Sequence, residues 1–207
     1  ISLIIGIQVI TFVVQVQRFY KNLLGDEGYL MFTVPVKPWQ LITSKLIISM
    51  LWLILSSLIS VLSVFIIMPL NAFKDIMNGF SQAISEVLRL FGASTILFGS
   101  EFLVICILGT LLSTLVIYAA IALGHLAYKR KILTSFGMFL VISTVLQFIM
   151  LIYIVALEKS IFRNIANFTL FAQAQSVLLC ILIYLIVCVV GLFILTKYIL
   201  DKKLNLE

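Results

Sequence analysis

Residues 18–47 read RFYKNLLGDEGYLMFTVPVKPWQLITSKLI, and this stretch decides the architecture. It is the longest segment that does not read as a membrane span, and apolar runs flank it on both sides. Basic and aromatic residues open it, Gly25, Asp26, Glu27 and Gly28 form a turn, and a short apolar piece follows at 29–34. Pro35 and Pro38 then interrupt the chain before the next hydrophobic run. A residue that precedes proline is pushed out of the α region, so 29–34 can form at most a short helix delimited on both sides. Such an element suits docking better than spacing.

The composition confines the rest of the chain to the bilayer. With 63% hydrophobic residues, 11% charged residues and a mean hydropathy of +1.27, it departs far from soluble domains. Long unbroken apolar runs predict an all-α membrane protein, a polytopic bundle of transmembrane helices; the ten-residue alternation of a barrel is missing. The net charge of +6 does not point to nucleic acid, because the Lys and Arg residues cluster at span ends, where lipid headgroups account for them. Cys106, Cys180 and Cys188 lie within apolar runs and read as small packing residues. His125, in a basic loop with no second histidine or carboxylate nearby, gives no metal site. Phosphate-binding loop, paired carboxylates and activated nucleophile are all missing, so the chain does not read as an enzyme.

Outward from the central loop, spans are expected at about 1–16, 41–68, 100–127, 132–157 and 173–196. The first is short, at ~24 Å of helix, and reads as the tail of a truncated span. Gln8, Thr11 and Gln15 share one of its faces, either along a substrate path or as ordinary interhelical hydrogen bonding. Ser49, Ser56, Ser60 and Ser63 form a stripe of small residues, a packing face. Residues 72–99 are too polar to cross. Phe73, Ile76, Phe80, Ile84 and Val87 keep a helical face opposite Lys74, Asp75, Gln82 and Glu86, as in a helix lying in the membrane interface. Gly92 and Gly99 mark the turn back, and Glu101 opens the third span, where it reaches headgroup water or Arg89. Gly109 and Ser113 offer a small-x-x-x-small contact. Ser143, Thr144 and Gln147 lie mid-span in the fourth, and Gln147 is the most deeply placed strong polar group.

Charge sets the orientation. If the central loop is cytoplasmic, that side holds 10 of the 14 Lys and Arg residues and the other holds 4 (Lys74, Arg89, Lys159 and Arg163). The positive-inside rule then puts the central loop and the C-terminus in the cytoplasm and residues 72–99 outside. Five spans ending inside place Ile1 outside. One preceding span would complete six with both ends inside, and the chain is expected to be truncated at its N-terminus.

Asp26-Glu27-Gly28, Thr33-Val34-Pro35-Val36 and Leu41-Ile42-Thr43-Ser44-Lys45-Leu46, in that order, resemble the first cytoplasmic loop of bacterial ABC-2 type export permeases. The closing Lys202-Lys203-Leu204-Asn205-Leu206-Glu207 is similar to that family's C-terminus. The resemblance implies one ABC-2 type transmembrane domain over 1–207, with a cytoplasmic coupling loop at 18–40. Asp26, Glu27, Gly28, Tyr29, Leu30, Met31 and Phe32 would engage a separate ATPase subunit that carries the ATP and Mg. A second permease subunit, identical or homologous, would complete the exporter in the bacterial cytoplasmic membrane. Gln8, Thr11, Gln15, Ser143, Thr144 and Gln147 are the translocation-path candidates. With no charge at mid-bilayer, the chain fits an amphipathic or hydrophobic cargo, and the resemblance implies antimicrobial peptides among such cargoes. The alternative is a membrane scaffold or peptide-sensing subunit that transports nothing.

Overall fold

The computed structural model describes residues 2–19, 38–126, 131–158 and 170–202, and every element within them is helical. In chain order these are α1 (Ser2–Phe19), α2 (Pro38–Ile67), α3 (Leu70–Phe91), α4 (Thr95–His125), α5 (Lys131–Leu157) and α6 (Leu170–Lys202). A 3-10 turn at Gly92–Ser94 joins α3 to α4. Among the described residues α2, α4, α5 and α6 are long and apolar enough to cross a membrane. The 18-residue α1 is not among them, so five expected spans stand at four by this measure.

α4 is the hub. It packs extensively against both α5 and α6, and also touches α2. Thr114 to Ala122 of α4 are buried without a break, so this helix has no lipid-facing side over two turns. It is accordingly apolar all round rather than amphipathic. Hydroxyls inside the spans bond back to their own helices, Thr114 to the Thr110 carbonyl at 2.8 Å and Thr196 to that of Leu192 at 2.8 Å. α2 packs mostly against α1, and its buried residues Ile42, Leu46, Ser49, Ser56 and Ser60 form one stripe. The serine packing face is therefore present, with Ser63 half-buried at its end.

One core cluster shows how the helices run. Ile42 and Leu46 from the start of α2 meet Leu115, Tyr118 and Ile121 from the end of α4 and Leu200 from the end of α6. Val16 at the end of α1 and Phe139 near the start of α5 pack against it. These ends therefore gather at one end of the bundle, together with Lys45 and Lys197. A second cluster of Tyr184, Leu185 and Cys188 lies farther along α6, against Leu108 and Leu112 of α4 and Leu146 of α5.

The amphipathic segment is a 22-residue helix with no buried residue. Pro69 caps its start, and Phe65 meets Phe73 edge-to-face at 5.7 Å across the elbow from α2. Gly92 takes a φ of +55° at its end, a conformation side chains resist, so glycine punctuates this turn as expected. Gly99 does not: it lies within α4, which begins at Thr95, and Glu101 falls almost two turns inside the helix rather than opening it. The helix starts early because Ile96, Leu97 and Phe98 extend its apolar run and a single glycine at 99 is tolerated inside a helix.

Candidate functional site

Most span hydroxyls bond to their own helices, and three arrangements of polar side chains link one span to another. The first joins α4 to α2. The Tyr118 hydroxyl lies 2.6 Å from Ser49 Oγ and donates to the Lys45 carbonyl at 3.4 Å. A buried tyrosine seeks a partner for its hydroxyl, and the serine stripe supplies one.

The second joins α5 to α6, whose backbones hardly approach each other. The Tyr153 hydroxyl donates to the Cys180 carbonyl at 3.0 Å, and the Tyr184 hydroxyl donates to that of Leu146 at 2.9 Å. The rings sit 5.8 Å apart. Each helix thus reaches the other's backbone through a tyrosine, using the second lone pair of a carbonyl already engaged in its helix.

The third lies at the opposite end of the bundle from the Lys45 and Lys197 cluster. Gln175 Nε2 of α6 donates to Glu101 Oε1 of α4. Glu101 Oε2 and Gln175 Oε1 are buried without a partner. Phe91, Phe98 and Phe171 pack nearby in sequence, with centroids 4.8 Å (Phe91 to Phe98) and 5.3 Å (Phe98 to Phe171) apart. Glu101 is therefore held by Gln175 rather than by Arg89, because it sits deeper in α4 than the sequence suggests.

A cavity of about 360 Å³ opens between α1, α4 and α5. Its floor is Ile117, Ala120 and Ile121 of α4, all buried. Val16 and Gln17 of α1 flank one side, and Ile132, Ser135, Phe136 and Phe139 of α5 the other. Ile132 and Phe136 are 74% and 63% exposed, so the cavity opens laterally, between helices. Beside it, α4 and α5 pack backbone to backbone at Gly124 and Ser135. A Cβ on Gly124 would lie 2.0 Å from Ser135 Oγ and 2.5 Å from its Cα. Gly109 meets nothing within 4 Å and Ser113 is exposed, so the small-residue contact sits four turns later than their spacing suggests. The run Ala119, Ala120, Ala122, Gly124 was the available signal. His125 closes α4 as its last residue rather than lying in a loop.

Among the sequence-derived candidates, Asp26, Glu27, Gly28, Tyr29, Leu30, Met31 and Phe32 lie outside the described residues. Of the expected loop 18–40, Arg18 and Phe19 belong to α1 and Pro38, Trp39 and Gln40 to α2; the rest lies outside the described residues. Gln8, Thr11 and Gln15 lie on α1; the Thr11 hydroxyl bonds to the Ile7 carbonyl at 2.8 Å, and the other two side chains are outside the described set. On α5, Ser143 is half-buried while Thr144 and Gln147 are exposed on the outward side. Of the four described side chains, those of Thr11 and Thr144 bond back to carbonyls of their own helices. Among the described residues no three His, Cys, Asp or Glu side chains converge on a metal-sized site. No family profile, curated protein or solved structure is significantly similar to this chain.

Proposed function

We propose that this chain is the membrane-spanning permease subunit of an ATP-driven exporter of the ABC-2 class. The observation that carries the reading is the ordered set of sequence motifs over 26–46: Asp26-Glu27-Gly28, a short apolar piece at 29–34, a proline break and a span start. In support, a multi-helix bundle follows that stretch, and an exposed amphipathic helix lies between two of its spans. In this reading the chain sits in the bacterial cytoplasmic membrane with its C-terminus inside. Two permease subunits pair with two ATPase subunits, which bind ATP and Mg. The segment 29–34 docks on the ATPase, with Asp26 and Glu27 at its basic edge. Closure of the ATPases tilts α1 and α2, which flank the loop, and so switches access for an amphipathic cargo between the two sides. Because Thr144 and Gln147 face outward from one chain, a polar path in this reading runs between subunits.

That same outward placement also suits a scaffold or peptide-sensing subunit that transports nothing, since a single chain has no continuous polar path among the described residues. Purification of the full-length protein in mild detergent separates the two. The exporter reading expects a stoichiometric ATPase that is lost when Tyr29 and Leu30 are replaced by Asp. Stable expression without any ATPase partner would end that reading and leave the scaffold.

A further inference from the structure

The cleft between α1, α4 and α5 has the two-part chemistry of a lipid site. Its floor, Ile117, Ala120 and Ile121, is apolar and buried, and its volume falls within the range of about 300–1,000 Å³ common to ligand pockets. Its open side is flanked by Ile132 and Phe136, which in a bilayer face hydrocarbon. Both helices that frame this opening carry a cation at the adjoining terminus. Arg18 follows Gln17 near the end of α1, and Lys131 is the first residue of α5, directly before Ile132. The floor residues belong to the last part of α4, so the apolar part lies about one to two turns inward from the charged part. An amphiphile lying along a bilayer helix has this polarity: charge at the helix ends, apolar chain farther in. Basic positions between span ends recognise anionic headgroups.

We propose that this cleft holds one acyl chain of an anionic phospholipid, with the lipid phosphate at the helix ends that carry Arg18 and Lys131. A second copy docked through these same two segments would bring no complementary negative charge, since residues 2–19 and 131–145 contain no acidic residue. The proposal needs only helices standing in a bilayer and does not rest on the exporter reading.

The test uses the full-length protein, delipidated in detergent and titrated separately with phosphatidylglycerol and phosphatidylcholine under native mass spectrometry. Phosphatidylglycerol is expected to bind about tenfold more tightly, and the double variant R18Q/K131Q to bring the two within about twofold, as expected for two headgroup charges. Ile132→Trp, at an exposed position, is expected to weaken both lipids about fivefold. In parallel, phosphatidylglycerol with a diazirine in its acyl chain should crosslink the unaltered protein at 117–121 and 132–139. Equal binding of the two lipids by the unaltered protein would overturn the proposal, as would a preference that survives R18Q/K131Q. Crosslinks confined to other helices would overturn it too, even if no variant could be purified.

Discussion

At Gly124 the two most tightly packed helices leave no room for a methyl group. The facing atoms include Ser135 backbone, which cannot rotate away, so Gly124→Ala forces α4 and α5 apart. Overpacking of this kind costs about 1–3 kcal/mol. The expected outcome is a lower midpoint in detergent-solubilised unfolding, and an unchanged midpoint would show that the helices separate freely. Gly92 is constrained differently: space is open around it, but its φ of +55° is not one an alanine adopts readily. Gly92→Ala should cost about 1–3 kcal/mol through backbone strain alone, and Gly99→Ala, in the same region but within a helix, should cost nothing comparable. Gln175→Leu removes the amide that donates to Glu101 and leaves a carboxylate stranded between α4 and α6. Loss of such a partner costs about 1–3 kcal/mol or more. Glu101→Gln with Gln175 retained should lose less, because two amides can still pair. Equal losses for both variants would refute the asymmetry.

At the scale of elements, the tyrosine exchange between α5 and α6 replaces the backbone contact those helices lack. Tyr153→Phe and Tyr184→Phe each keep the ring and delete one bond. Each should cost about 0.6 kcal/mol, the mean for interhelical bonds in membranes, and a double-mutant cycle should show coupling because the rings touch. Strict additivity would mean that the two bonds act separately. Much of this level was readable in the residues. The serine stripe of α2, the amphipathic α3 and the glycine turn at 92 follow from periodicity and local backbone preference, which act within a few residues. What escaped were start points and partners. α4 begins at Thr95 because the lone Gly99 is accommodated within the helix, whereas composition alone draws the span from the charge inward. The Gly109 and Ser113 spacing was a sound motif on the wrong part of the helix. Which small residues meet a neighbour depends on where α5 crosses, and that is long-range information.

For the molecule as a whole, the shared core of Ile42, Leu115, Tyr118 and Leu200 ties the start of α2 to the ends of α4 and α6. Single cysteines placed at Lys45 and Lys197, in a background lacking Cys106, Cys180 and Cys188, should therefore react with a membrane-impermeant thiol reagent from one side only. A cysteine at Asn78 on exposed α3 should react from the other. Labelling of all three from the same side would contradict the alternating arrangement of α2, α4 and α6. The all-helical, membrane-spanning class was legible because hydropathy is a property of whole segments. The candidate path residues were not, because whether Gln147 faces a neighbour or the surroundings depends on the packing side of α5. That side is set by Ser135 against Gly124 and by Leu146 beneath Tyr184.

The bond between Glu101 and Gln175 spans 74 positions of sequence, and this fixes an order of events during synthesis. α4 enters the bilayer before its amide partner has been made. Until α6 arrives, every nascent chain carries a carboxylate in a helix surrounded by lipid. Completion of the last helix supplies that partner, so the bundle's polar pairing at this end closes only when the whole chain is in place.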